Sequence, residues 1–296
     1  MAASMMHATR VALGATSGSA ATREVDFLSC AVGKQGSQIQ SEGMRGTRSY
    51  IAELQNDGTY TVGGQLVLHP RPVELDMILP FILGGSETAD DFPLAETLPE
   101  FGIDVTKIGH ICRYAGMKVN QATFRCGPNQ PLTLEMDVQG KTETTGISFP
   151  SLSNVSNVAP YVFTEMTLTL NSVAYSCFNI AVNINNNLML DHHMNSQSRT
   201  ELPEQSRVIT VQTSVQMTST EAAALYAGSV AGLSGSVAFA KGNYALTFAF
   251  PKLQWPIQPV VIPQRNGEVV LGLSMVARKD ATTPTMEMVT TNDSTA

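Results

Sequence analysis

Charge is scarce in this sequence. Only 15% of its 296 residues are Asp, Glu, Lys or Arg, against about 25% in an ordinary soluble domain. The charge leans acidic, with 25 carboxylates against 18 Lys and Arg for a formal −7. The basic stripe by which proteins grip phosphates is therefore missing, and a DNA duplex would be repelled on average. Cysteine is sparse too: Cys30, Cys112, Cys126 and Cys177 form no C-x-x-C pair. That spacing excludes a disulfide framework or a zinc-finger-like site and leaves the thiols as small core residues. No apolar run approaches the roughly 20 residues that span a bilayer. The opening MAASMMHATRVALGATSGSAATRE lacks the continuous apolar block of a secretory signal. Synthesis in a reducing cytoplasm is expected, and Asn154-Val155-Ser156 and Asn292-Asp293-Ser294 are then not glycosylated.

Catalytic signatures are also missing. No G-x-S-x-G, P-loop, H-E-x-x-H or G-x-G-x-x-G occurs, and Gly33-Lys34-Gln35-Gly36-Ser37 has neither the upstream apolar strand nor the spacing of a phosphate loop. Asp191-His192-His193 holds metal-ligand residue types, but neighbours on a strand point to opposite faces, and His7, His69 and His110 are isolated. A solvated loop is expected there, so no catalytic, cofactor or metal residue is assigned. A β-rich binding module or metal-dependent enzyme built on that loop is the rival reading.

What the chain does contain is alternation. Hydrophobic residues make up 43%, enough for a sizeable core in one or two domains. Leu132, Leu134, Met136 and Val138 alternate with polar residues, as do Met166, Leu168 and Leu170, and Phe178, Ile180, Val182 and Ile184. The same holds for Ile209 to Met217, Tyr244 to Phe250 and Val269 to Met275. Period 2 is the pattern of strands with one buried face, so the fold is predicted to be mainly β, a sandwich or barrel. One or two short helices flank it. Arg71 to Leu79 has an early Pro, early carboxylates and apolar Val73, Met77 and Ile78, with Pro80 to end or kink it and Gly84-Gly85 to stop it. Thr220 to Gly228 is the second.

Residues 1–24, rich in Ala, Ser, Thr and Gly, are predicted to be a flexible arm that orders only on a neighbour, leaving 25–296 as the β domain. Long loops are predicted near 84–100, 141–160 and 191–205. The Asn183-Ile184-Asn185-Asn186-Asn187 cluster reads as a strand ending in a turn. The neutral polar surface either suits close approach by a neighbouring subunit or reflects strand-rich composition.

Two blocks are specific in their order. Gly43-Met44-Arg45-Gly46-Thr47-Arg48 precedes the continuous run from Val62 to Gly85, in which an apolar strand leads through His69-Pro70-Arg71-Pro72 into the Glu74-Leu75-Asp76 helix and ends at Gly84-Gly85. Later come the Phe178–Leu188 strand with its Asn turn, and Asn266-Gly267-Glu268 before the Val269–Ala277 strand. Together these resemble the tail tube proteins (major tail proteins) of long-tailed bacteriophages over roughly residues 40–290. Residues 1–24 and the loop at 141–160 exceed the pattern.

The resemblance implies a non-enzymatic virion protein made in the host bacterial cytoplasm. It implies a tail-tube-type β-sandwich or barrel whose strands join a ring-wide inner β-barrel, as homo-hexameric rings stacked into a tube. Double-stranded DNA would pass through on ejection without specific binding, and no cofactor or membrane takes part. Tape-measure, tail-terminator and distal-tail or baseplate proteins would be its partners. The tube of a related contractile injection or secretion machine is the structural alternative. Six copies would carry about −42 per ring, which suits a repulsive wall if acids face inward. Glu135, Asp137 and Glu165, on predicted polar strand faces, are the candidate lumen acids. If they lie instead on the outer face or at a seam, Arg45, Arg48 and Arg71 are candidate partners between subunits.

Overall fold

The computed structural model describes residues 9–40, 49, 52–152, 157–217, 225, 229–257, 269–280 and 287–293. Its strands begin with β1 (Arg10–Gly14), β2 (Arg23–Val25), β3 (Ser29–Cys30), β4 (Gly33–Gln40) and β5 (Gln55–Leu68), followed by helix α1 (Pro72–Leu83). Then come β6 (Asp91–Pro93), β7 (Phe101–Lys107), β8 (His110–Cys126), β9 (Thr133–Gly140), β10 (Thr142–Thr145), β11 (Met166–Leu170) and β12 (Val173–Tyr175). The last are β13 (Cys177–Asn185), β14 (Val208–Gln216), β15 (Ser229–Lys241), β16 (Tyr244–Trp255), β17 (Val270–Arg278) and β18 (Val289–Asp293). The fold is mainly β, as the alternation predicted.

Every strand pairing among the described residues is antiparallel, in the order β5-β9-β8-β13-β14-β17-β16-β15-β11-β12, with β3 and β4 on the other side of β5 from β9. β8 serves two layers. Its second half pairs with β9 and β13, while its first half pairs with β7 and β10, and β7 leads on to β1 and β2. The sheet folds over on itself: the Phe124 ring of β8 meets the Phe248 ring of β16 at 4.9 Å between centroids, although β13, β14 and β17 lie between those strands in the order. Between the two halves lie the inward rows, Leu134, Met136 and Val138 from β9 and Ile180, Val182 and Ile184 from β13, opposed by Leu246 and Phe248. Such side chains contribute about 1.5–3 kcal/mol each when fully buried.

Helix α1 closes one side, its Phe81 ring stacked on Phe101 of β7 at 4.4 Å. It runs through Pro80 to Leu83 rather than stopping there. Pro80 removes the amide that would reach the Asp76 carbonyl, but Phe81, Ile82 and Leu83 are buried and hold the last turn in place. Gly84 then caps it at φ +87°, its N–H donating to the Pro80 carbonyl at 2.8 Å. The inward face is Leu75, Ile78, Leu79 and Ile82, while Val73 and Met77 are only half-buried. Because every residue from 77 to 83 is apolar, periodicity does not single out a stripe. Of the second expected helix only Leu225 is described, helical and buried, its carbonyl accepting the Trp255 indole N–H at 3.1 Å.

Four further expectations meet differences. Residues 10–14, placed in the predicted arm, form β1 between β2 and β7 with Val11, Ala12 and Leu13 buried, since that short apolar run finds a two-sided slot. Residues 1–8 lie outside the described residues. The segment predicted as a loop from 84 holds β6, and that from 141 opens with β10. Thr142-Glu143-Thr144-Thr145 has no apolar residue to betray a strand, yet its backbone pairs with β8. Phe178, predicted inward, is exposed because the register slips between Cys177 and Asn179.

Two buried carboxylates reveal different economies. Asp104 of β7 is 1% exposed and receives Arg113 of β8 through both oxygens, Nε to Oδ1 at 2.8 Å and Nη2 to Oδ2 at 2.9 Å, with the Ala21 N–H adding a third donor at 3.1 Å. Removing the carboxylate strands the guanidinium, so Asp104→Ala should lose about 3–5 kcal/mol in urea unfolding; a loss under about 1 kcal/mol would show the pair to be peripheral. Glu74, also 1% exposed, has one oxygen accepting the Arg71 backbone N–H at 3.3 Å and the other without a partner among the described residues. Burial pushes its pKa up from 4.5 to about 7, against the opposing pull of the Arg71 backbone N–H and of the Arg71 and Arg23 charges. The folded chain therefore holds a proton that the unfolded chain has released, and the resulting stabilisation is full below pH ~4.5 and lost as pH rises through ~7. Glu74→Gln should gain on the wild type by about 2–3 kcal/mol between pH 5 and pH 8; parallel stability curves over that range would contradict this.

Candidate functional site

The outward rows of β9, β8, β13 and β14 make one open concavity of about 680 Å³. Register builds it: Glu135 lies beside Thr123, then Asn183, then Thr210, and the next row runs Thr133, Arg125, Ala181, Gln212. Its lining is dominated by amides and hydroxyls, and Asn183 Nδ2 donates to Thr123 Oγ1 at 2.9 Å across β13 and β8. The charged residues on it are Arg125 and Glu135. They face one another, Nη2 to Oε2 at 3.5 Å, with the arginine 58% exposed.

The three candidate acids are not brought together. Glu135 stands in the concavity. Asp137, two residues on, has both oxygens engaged, by Asn120 Nδ2 at 2.7 Å and Gln139 Nε2 at 2.8 Å. Glu165 is not on a strand but ends a short 3-10 turn, Phe163–Glu165, where it accepts the Val162 N–H at 2.9 Å and lies 3.5 Å from Lys241. Arg71 sits at the entry to α1 with its guanidinium bonded to Asp26 of the same chain. Arg45 and Arg48 lie outside the described residues.

Sequence reasoning missed Arg125. Alternation through Ala122, Phe124 and Cys126, all buried, signals that Arg125 points outward, but its partner comes from the strand pairing of β8 with β9. The Asn cluster is a strand ending in a turn: Asn185 Oδ1 accepts the Asn187 N–H at 2.9 Å and Asn187 has φ +46°. Buried Asn186 donates to the Ile82 and Val119 carbonyls, tying α1 to β8. His192 Nδ1 lies 3.0 Å from Thr200 Oγ1 in the loop beyond, and no group of three metal-ligating side chains forms among the described residues. Burial pushes the Cys126 thiol up to about 11, which keeps it protonated. No helix of the described residues is long and apolar enough to cross a membrane.

The second notable surface is a two-stranded ribbon. From Val62 to Leu68, β5 lies against β9, but from Gln55 to Thr61 its strand partner among the described residues is β4. Lys34 through Gln40 of β4 are exposed, and Ile39 is 61% exposed. Lys34 Nζ sits 4.0 Å over the Tyr60 ring. The other side of β4 has no strand partner among the described residues, so it presents an open edge eight residues long.

The sequence model of a protein family described as phage tail tube protein matches residues 6–291. No curated protein matches the chain.

Proposed function

We infer the function from one premise: the chain belongs to the phage tail tube protein family, and is a structural protein of a phage tail that assembles with other tail proteins into a tube. In our reading six copies close a ring, the number the family resemblance implies. Rings stack into the conduit of a long-tailed phage, through which double-stranded DNA passes during ejection. Tape-measure, terminator and distal-tail proteins bound its length and ends.

The observation that carries this reading is the β4 edge. A long exposed edge with few charges is an aggregation hazard that monomeric proteins blunt with lysines, prolines or a covering element. Between Gln35 and Gln40 this edge has none of the first two, and an apolar Ile39 projects from it. A second copy of the chain covers it in the assembly. Head-to-tail contacts of this kind close rings and extend stacks. Ile39→Glu should leave the stability of the isolated chain within about 0.5 kcal/mol of wild type while abolishing rings and tubes in negative-stain images. Tubes forming at the wild-type concentration would overturn the role of the ribbon.

The concavity suits the lumen wall. A channel for DNA must not adhere to phosphates, and this surface is neutral polar with its exposed arginine faced by a carboxylate. Glu135 then acts by cancelling Arg125 rather than by repelling DNA alone, and Asp137, on the same outward side of β9, is held by Asn120 and Gln139. Glu135→Gln tubes should form normally yet release DNA several-fold more slowly at low salt, with Arg125→Gln restoring the rate. Release by Glu135→Gln tubes as fast as by wild type at low salt would remove this face from the lumen.

A further inference from the structure

We propose that Arg199 is a positioning residue that sets the angle of the β4–β5 ribbon for docking on a second copy, a role that rests on the reading of the ribbon given above. Arg199 lies in the segment between β13 and β14 and is 5% exposed. Its Nε donates to the Leu190 carbonyl at 2.7 Å, which shapes its own loop. Its Nη1 reaches three acceptors at a single place in the sheet: the Val62 carbonyl at 3.1 Å, Gln139 Oε1 at 3.0 Å and the Gly140 carbonyl at 3.4 Å.

That place is the root of the ribbon. Val62 and Gly140 are register partners and form the last pair between β5 and β9, so beyond them β5 leaves the body of the sheet. The loop that Arg199 holds takes over there as a neighbour: the Tyr60 N–H donates to the Gln197 carbonyl at 2.9 Å, and Gln197 Nε2 reaches toward the Asp57 carbonyl at 3.5 Å. The root is closely packed by backbone as well, on the sheet side of Val62. Gly64 has φ +148°, and a Cβ there would fall 2.3 Å from the Ala31 carbonyl oxygen; at Gly63 it would fall 2.8 Å from the Val138 carbonyl oxygen. Arg199 binds the chain where that packing and the β9 ladder end.

The chemistry of the clamp argues that bracing is its purpose. The guanidinium has no carboxylate within ion-pair distance among the described residues; Asp191 and Asp137 attract it from farther off, and burial lowers its pKa. A buried charge held by carbonyls is a poor device for stability alone. Its forked donors can, however, fix one loop and two strand ends in a single geometry, which a compact ammonium cannot do.

The test compares full-length wild type, Arg199→Met and Arg199→Lys for assembly onset by light scattering, and for hydrogen exchange of the amides in residues 55–61. Arg199→Met should raise the concentration at which tubes appear at least tenfold and speed that exchange at least tenfold, with exchange in β13 and β14 unchanged. Arg199→Lys should recover part of both. If Arg199→Met does not fold, Arg199→Gln, which retains a side-chain donor, takes its place with the same two readouts. Wild-type assembly and wild-type exchange in a folded variant overturn the proposal, as does faster exchange without any change in assembly. Ile39→Glu separates the two ideas: if it assembles normally, the ribbon reading fails; if it blocks assembly while Arg199→Met does not, only the clamp fails.

Discussion

Backbone N–H and C=O groups at the rim of a sheet must find partners in water, in another strand or in another molecule. Much of this molecule is organised around that requirement. β1 is slotted between β2 and β7, β6 covers part of β18, and β10 covers the first half of β8. Each of these short strands completes a longer one. Against that background the side of β4 left uncovered among the described residues stands out, and a protein that assembles into a tube has a reason to keep it.

The same antiparallel ladder divides the side chains into two populations. Rows facing inward are large and apolar, and the fold of the sheet presses Phe124 against Phe248. Rows facing outward from β9, β8, β13 and β14 are amides, hydroxyls and one faced pair of charges. A surface of this kind is well hydrated without carrying a strong field, in keeping with the low charge of the composition. Two of the buried charges join elements: Asp104 and Arg113 bind β7 to β8, and Arg199 joins a loop to the end of β9 and the root of the ribbon.

Much of the fold was legible because burial imposes period 2. The rows at Leu134–Val138, Ile180–Ile184 and Leu271–Met275 were read correctly from alternation alone, and Asn187 in its turn from the tolerance of Asn for positive φ. The failures have physical causes. β10 has no apolar face, so its existence depends wholly on backbone bonds to β8. Phe178 lost its inward place to a one-residue slip in register. Glu165 was assigned to a strand because Thr167 and Thr169 alternate after it, but its carboxylate is used to cap a turn. The acid that does stand in the concavity, Glu135, was found by sequence, and the arginine opposite it was not.

Alternation, turn residues and composition by themselves determined that the chain is mainly β, where six of its strands run, which residues most of those six bury and that the surface is poor in charge. These are local properties, fixed by the chemistry of a few consecutive residues. Only the tertiary structure decided that Glu135 faces Arg125, that Asp137 is engaged from both sides, that β5 leaves the sheet at Val62, and that Arg199 sits at that point. Those facts depend on which strands become neighbours and in what register, and a shift of one residue exchanges the two faces of a strand.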